Sequence, residues 1–259
     1  MKITILGCGT STGVPVIGCK CPVCRSNLPR NRRTRASILV SHGEKNILVD
    51  TATDLYFQSL ANRIVRVNAV LFTHTHADHI HGIDELRNFN FLQRAIIPIY
   101  GSEETMQFIR RVFAYIFNVT PIGGGKPLLE TNPVEEEFEL FGLKILPLEI
   151  MHGSLPIFGY RFIEPGEKPK RFAYLTDCSE LPEESKKELQ DLDFLILDAL
   201  RREYHPTHFT VEDAARVIAE LRPARAALTH FDHSIDYEEL QGSLPAGIEP
   251  AYDGMVVEI

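Results

Sequence analysis

Uncharged apolar runs are short in this sequence, and none approaches 18 residues. No membrane-spanning helix is therefore expected. The opening Met1–Gly9 holds one lysine and a brief apolar run ending in Gly-Cys-Gly. It lacks the longer apolar stretch and small-residue cleavage site of a secretory signal, so a cytoplasmic protein is expected. Positive charge is in deficit: 27 Lys and Arg stand against 35 Asp and Glu, a formal net charge of -8. A nonspecific nucleic-acid binder would usually carry the opposite sign, so no stable nucleic-acid partner is expected. A local basic pocket for one phosphate stays compatible with that charge. Cysteine is scarce and odd in number, at positions 8, 19, 21, 24 and 178. A disulfide framework explains such a set poorly, whereas thiolate metal ligands in a reducing compartment explain the crowding of three into six positions. No clear internal repeat, low-complexity segment or Ser/Gly/Pro linker divides the chain.

What is present fits a globular protein. The 259 residues are 44% apolar and 24% charged, enough for a sizeable core. Short strands are expected at Lys2–Leu6, Ser37–Val40, Asn46–Val49, Ala69–Thr73, Ile96–Tyr100, Lys144–Ile150, Phe158–Ile163, Phe172–Leu175, Phe194–Leu197, Ala226–Leu228 and Met255–Ile259. Helices are expected at Thr53–Ala61 with Thr53 as cap, Ser102–Phe117, Glu183–Leu189, Thr210–Leu221 and Tyr237–Leu240. In the fourth of these, Thr210 and Asp213 suit a capping box. Pro121–Pro133 reads as the longest loop, able to shape the mouth of a site. The expected arrangement is one α/β domain (α+β in some schemes) over residues 1–259, with two packed sheets and helices outside.

Polar groups gather just beyond strand ends. His74-x-His76-x-Asp78-His79 places four metal-competent side chains in six residues. One continuous helix cannot aim all four at a point, but a tight loop after a strand can. His152, Asp177 and His230 each follow another expected strand. Five imidazoles and two carboxylates are too many for one tetrahedral ion and suit two ions sharing a carboxylate. Two divalent cations bring +4; two carboxylates and a bridging hydroxide leave about +1, suited to an anionic transition state. Zinc, manganese or iron would accept these ligands. Separately, Cys19, Cys21 and Cys24 supply three thiolates, and His233, Cys8, Cys178 or His42 could supply a fourth ligand for a closed zinc site.

This pattern resembles the metallo-β-lactamase superfamily, and within it the PhnP-type cyclic phosphodiesterases more than the β-lactamases. The resemblance is carried by His74–His79, Gly18-Cys19-Lys20-Cys21-Pro22-Val23-Cys24, Tyr174-Leu175-Thr176-Asp177, Leu228-Thr229-His230 followed by His233, and Asp253-Gly254-Met255. Ribonuclease Z shares part of it. The resemblance implies a four-layer αββα sandwich. It assigns His74, His76 and His152 to one metal, Asp78, His79 and His230 to the other, and Asp177 to a bridge. It selects His233 as the fourth structural zinc ligand, closing an N-terminal zinc loop at residues 19–24. It also implies a possible homodimer.

The implied chemistry is attack on phosphorus by a hydroxide held between the metals, with a histidine protonating the leaving alkoxide. His205 and His208 compete for that proton transfer, and the resemblance favours His208. Asp78 counts with His208 as catalytic as well as a ligand. Asp50, at the end of its strand, would orient a ligating histidine or cap a helix. Ser11, Thr12, Arg87, Ser154 and His205 are candidate substrate contacts, each equally readable as a turn or solvated residue. The expected substrate is a small phosphodiester, such as ribosyl 1,2-cyclic phosphate or a 2′,3′-cyclic nucleotide. The alternatives are ribonuclease Z-like RNA cleavage, or a metal-stabilised binding protein without catalysis.

Overall fold

The computed structural model describes residues 1–118 and 125–259. Among them, β1 (Lys2–Gly7), β2 (Ser37–His42), β3 (Lys45–Val49), β4 (Ala69–Leu71), β5 (Ile97–Gly101), β6 (Leu129–Pro133) and, from the far end of the chain, a strand at Val256–Glu258 form one seven-stranded sheet. A second seven-stranded sheet contains β7 (Phe138–Leu140), β8 (Leu143–His152), β9 (Leu155–Glu164), β10 (Lys170–Leu175), β11 (Phe194–Asp198), β12 (Ala226–Thr229) and β13 (Ile248–Pro250). The Val256–Glu258 strand, β14, pairs antiparallel with β1. Strands β3 to β6 run parallel, as do β10 to β13.

Alternation in the first sheet explains why the sheets face each other. Ile3 and Ile5, Ile38 and Val40, Ile47 and Val49 point into a core shared with Ile145, Tyr160, Phe172 and Leu195 of the second sheet. Their neighbours Leu6, Leu39, Leu48 and Val70 point the other way. That opposite face packs on Leu55, Ile83, Leu86, Met106 and Ile109 from the helical segments. A one-residue slip in any of these strands would exchange the two faces, so both buried layers fix the register. The second sheet carries on its outer side the helix Val211–Leu221, which buries Val211, Ala214, Ile218 and Leu221. The result is a four-layer αββα sandwich.

Several boundaries differ from the sequence expectation. Residues 121–124 of the Pro121–Pro133 loop lie outside the described residues, and Leu129–Pro133 is strand β6, not loop. Parallel pairing with β5 overrides the strand-breaking Pro133, which falls at the end of an edge strand, where a missing N–H is tolerated. Thr53 is not a cap: the helix starts at Leu55 after Asp54, whose carboxylate is instead engaged by Arg35. The Ser102–Phe117 segment breaks at Phe113 into Glu103–Val112 and Ala114–Phe117, with the Ser102 hydroxyl accepting from Thr105 N–H at the start. The capping box of Thr210 and Asp213 is present. Strand β4 ends at Leu71, two residues short of Thr73. The backbone there is free to turn into the histidine loop.

Candidate metal centre

The polar residues converge where strands end. Asp50 follows β3, His74 follows β4, His152 ends β8, Asp177 follows β10, Asp198 ends β11 and His230 follows β12. Strand ends of the two facing sheets, most of them the carboxyl ends of parallel strands, meet at one rim, which is where open α/β sheets place ligands. Three of these residues, Asp50, Asp177 and His230, have positive φ of 64°, 56° and 68°. Non-glycine residues adopt that region at a cost of about 1–3 kcal/mol each, so the surrounding contacts must hold them there. Gly82 permits the first loop to close: a Cβ there would stand 2.1 Å from the carbonyl oxygen of Ala52.

Two groups of ligand atoms share one residue. His74, His76, His152 and Asp177 offer atoms all within 4.8 Å of one another, and so do His79, Asp177 and His230. Asp78 joins the second group, its Oδ2 lying 3.2 Å from His79 Nε2, as Asp177 Oδ2 also does. His230 Nδ1 stands 3.3 Å from Asp177 Oδ2. Asp177 is thus common to both groups.

The hydrogen bonds behind the imidazoles determine which nitrogen each one presents. Asp50 is fully buried and accepts from Thr73 N–H at 2.8 Å, from the Thr73 hydroxyl at 2.8 Å and from His79 Nδ1 at 2.8 Å. Because the Thr73 hydroxyl gives its proton to Asp50, it can only accept from His74 Nδ1, 2.9 Å away. His74 therefore turns an unprotonated Nε2 into the cluster. His152 donates Nδ1–H to the carbonyl of Thr207 at 2.8 Å and does likewise. One carboxylate, Asp50, thereby orients a histidine in each group, a common arrangement behind metal ligands.

The donor set fits a pair of cations. His74 Nε2 is buried without a hydrogen-bond partner, and His79 Nε2 and Asp78 Oδ2, though 3.2 Å apart, are buried in an alignment that makes no hydrogen bond. Such orphans are costly unless an ion satisfies them. Burial pulls His74 well below the usual histidine range, and it also lowers His152 and takes His230 to about 3, leaving all three neutral and able to ligate. For His79 burial acts the same way, but the carboxylates of Asp177, Asp78 and Asp50 outweigh it and hold its proton on. A site that attracts a proton this strongly attracts a divalent cation for the same Coulombic reason. Asp177 is pushed up by burial, yet His230 and His79 keep it well below the usual carboxylate range.

A second cluster joins the short helix Pro22–Arg25, which Cys21 caps and which contains Cys24, to the segment after β12 that carries His233. Cys19, Cys21, Cys24 and His233 place their ligand atoms within 4.8 Å of one another, with His233 Nδ1 at 3.2 Å from Cys19 Sγ and 3.5 Å from Cys21 Sγ. Three thiols and one imidazole suit zinc with no open position. Of the other fourth-ligand candidates, Cys8 and Cys178 are buried elsewhere, bonded to Ala251 and Glu180 carbonyls, and His42 faces Glu164 at 3.7 Å. All five cysteines are free thiols.

His208 stands beside the first cluster. Its ring centroid is 4.7 Å from that of His152 and 4.8 Å from that of His230, stacked on the latter. Asp198, which is not among the residues expected from sequence, supports this ring. It is fully buried, and its Oδ1 accepts from His208 Nδ1 at 3.2 Å and from Asp177 N–H at 3.2 Å, while Oδ2 accepts from Phe209 N–H at 3.0 Å. Burial pushes Asp198 up to about 7 despite the favourable charge of His208. The signal was available: like Asp50 and Asp177, Asp198 is an acid at the carboxyl end of an apolar strand. His205 lies 5.2 Å from His208 by ring centroid and accepts from the Thr207 amide through Nδ1. Ser11, Thr12 and Ser154 sit on exposed turns, and Arg87 is exposed and paired with Asp84 at 3.2 Å.

The chain belongs to the metallo-β-lactamase superfamily: residues 45–231 match the family described as the beta-lactamase superfamily domain. Within it, the similarity is to PhnP-type phosphodiesterases, with partial resemblance to ribonuclease Z and PqqB proteins. A solved structure described as a new diphosphatase from the PhnP family is 39% identical, with a TM-score of 0.90 over 100% of this chain and 97% of that one. An octanoyltransferase of Porphyromonas gingivalis is 36% identical across 98% of this chain and 51% of its own length. A ribonuclease Z of Bradyrhizobium is 28% identical over 58% of this chain and 52% of its length. The chain thus spans about half the length of these two curated relatives. No described helix is long and apolar enough to cross a membrane.

Proposed function

We propose that this chain is a metal-dependent phosphodiesterase acting on small phosphodiesters, among them ribosyl 1,2-cyclic phosphate and 2′,3′-cyclic nucleotides. The observation that carries the reading is Asp177 shared between two imidazole-rich groups, with the Asp198–His208 pair alongside. In this reading His74, His76, His152 and Asp177 hold one divalent cation, and Asp78, His79, His230 and Asp177 hold another, zinc or manganese. Cys19, Cys21, Cys24 and His233 hold a structural zinc. Cations bound in the centre supply Lewis-acid charge and acidify a water nucleophile.

The protein's own part is orientation and proton delivery. Asp50 and Thr73 fix the rings of His79 and His74. Asp198 accepts from Nδ1 of His208, which directs Nε2 towards the substrate side and holds a proton there for the departing alkoxide. Such general acid catalysis contributes roughly 10²–10⁴-fold. Ser11, Thr12, Arg87, Ser154 and His205 are the rim groups offered to the rest of the substrate.

A diphosphate-linked substrate is the second reading, favoured by the diphosphatase name of the 39% identical relative. Leaving groups separate the two. A phosphate departs without help, whereas a ribose alkoxide needs the proton that the buried Asp198–His208 pair is arranged to deliver. The test is a panel of 2′,3′-cyclic nucleotides, ribosyl 1,2-cyclic phosphate, a dinucleoside diphosphate and precursor tRNA, with zinc and manganese restored separately. Turnover of the cyclic esters is expected. Preference for the diphosphate or the tRNA would replace this reading, and metal binding without turnover of any of them would favour a non-catalytic binding protein.

A further inference from the structure

Arg33 takes no part in either cluster, yet only 2% of it is exposed. A guanidinium is costly to bury unless its donors find acceptors. Nη1 donates to the carbonyl of Asp232 at 3.0 Å, and Nη2 donates to the carbonyl of Ile235 at 2.8 Å and to Asn31 Oδ1 at 3.2 Å. Its Cζ lies 5.2 Å from the centroid of the Phe231 ring. Phe231, Asp232 and Ile235 belong to one short stretch. It begins directly after His230 of the histidine–aspartate cluster and contains His233 of the thiolate cluster.

The other end of Arg33 is equally anchored. Its amide and carbonyl both pair with Val14, at 2.8 Å each, on the segment that leads to Cys19. Asn31 extends the tie: its Nδ2 donates to Ser26 Oγ at 3.2 Å, two residues beyond Cys24, and to Asp236 Oδ2 at 2.7 Å. The stretch is held from the opposite side too, where Phe231 N–H donates to the Cys8 carbonyl at 2.9 Å and Asp232 N–H to the Leu200 carbonyl at 3.0 Å. The guanidinium fork therefore bridges two carbonyls of the segment that carries a ligand for each cluster.

We propose that Arg33 is a positioning residue that couples the two clusters, so that metal binding at Cys19, Cys21, Cys24 and His233 raises metal affinity at His79, Asp177 and His230. This rests on the reading of both clusters as metal sites. The physical reason is rigidity: with Asp232 and Ile235 fixed by one planar fork, His230 and His233 move as one piece, and order imposed on either is passed to the other. Coupling of this kind is reciprocal, with usual sizes of about 5–150-fold. Lysine cannot substitute, because a single ammonium lacks the two-pronged geometry that reaches both carbonyls together.

A double-mutant cycle on the full chain tests it, with wild type, Cys21→Ser, Arg33→Lys and the double variant. Zinc affinity of the histidine–aspartate cluster is read by competition with a chromophoric chelator. The thiolate-to-cobalt charge-transfer band reports the cysteine cluster, and circular dichroism reports the fold. With Arg33 present, Cys21→Ser should weaken the histidine–aspartate cluster by about tenfold or more; in the Arg33→Lys background the same change should cost less than about twofold. Arg33→Lys alone should retain the cobalt band. Equal losses in both backgrounds, or no loss with Arg33 present, would overturn the proposal. Should Arg33→Lys not fold, Arg33→Gln, which can serve only one carbonyl, gives the same cycle. Wild type that binds cobalt or zinc at neither cluster would instead overturn the metal-site reading, and this proposal with it.

Discussion

Replacing Asp198 with asparagine isolates the proton-delivery step. Asp198 accepts three hydrogen bonds, from His208 Nδ1, Asp177 N–H and Phe209 N–H. An amide keeps one accepting oxygen and turns an N–H towards at least one of these donors. The cost in stability is about 1–3 kcal/mol for a buried donor left without an acceptor. The cost in rate depends on the substrate. Without the carboxylate, nothing orients His208 or favours its protonated form, and the loss should approach the roughly 10²–10⁴-fold attributed to a positioned acid. That loss is expected for a 2′,3′-cyclic nucleotide, whose alkoxide needs a proton. Bis-p-nitrophenyl phosphate releases a stabilised phenolate, so its kcat should fall less than about tenfold, well below the full general-acid contribution. Steady-state kinetics on both substrates, with metal content checked in each preparation, decide the matter. Equal losses on the two substrates at full metal content would refute the assignment of Asp198 and His208 to leaving-group protonation.

Other expectations follow from the same geometry. Asp50→Asn removes an acceptor shared by Thr73 and His79, and metal analysis should show weaker retention in the histidine–aspartate cluster, by roughly 10–100-fold in affinity; unchanged affinity would contradict its orienting role. Cys21→Ser should release the thiolate-bound metal and lower the melting temperature, read by metal analysis and calorimetry, and an unaltered metal content would count against the zinc loop. Asp253 is half-buried and pushed up to about 6 by desolvation, despite donors from Thr34 and Cys8. The folded state therefore holds this proton more tightly than the unfolded chain does. The resulting stabilisation is complete below about pH 4 and is lost as pH rises through about 6, a span of order 3 kcal/mol. Chemical denaturation of wild type against Asp253→Asn between pH 4.5 and about 7 should show wild type gaining relative stability as pH falls; a constant difference would contradict the shift.

The clustering residues are legible in the sequence because they are chemically distinctive and sit directly after short apolar strands. His74 to His79, His152, Asp177 and His230 could be found from residue type and strand ends alone. Their convergence could not, since it depends on two sheets stacking at one rim, which brings together residues as far apart as 79 and 230. The sequence signal for Asp198, an acid ending an apolar strand like Asp50, is weak on its own, and its three donors in the fold are what set it apart. Thr73 and Arg33 were invisible for the same reason: a threonine hydroxyl that relays orientation, or an arginine that grips backbone carbonyls, leaves no motif. Strand β6 escaped detection because Pro and Gly flank it and only pairing with β5 supplies its structure. The helix break at Phe113 escaped for a related reason, since the local pattern of Ser102–Phe117 reads as one continuous amphipathic stretch.

The central claim is that Asp177 is shared by two adjacent cations. Anomalous diffraction from crystals of the zinc- or manganese-loaded protein tests it directly. Two peaks about 3.5–4 Å apart are expected, one among His74, His76 and His152 and one among Asp78, His79 and His230, with Asp177 touching both. A single peak, or density that leaves Asp177 uncoordinated, would contradict it.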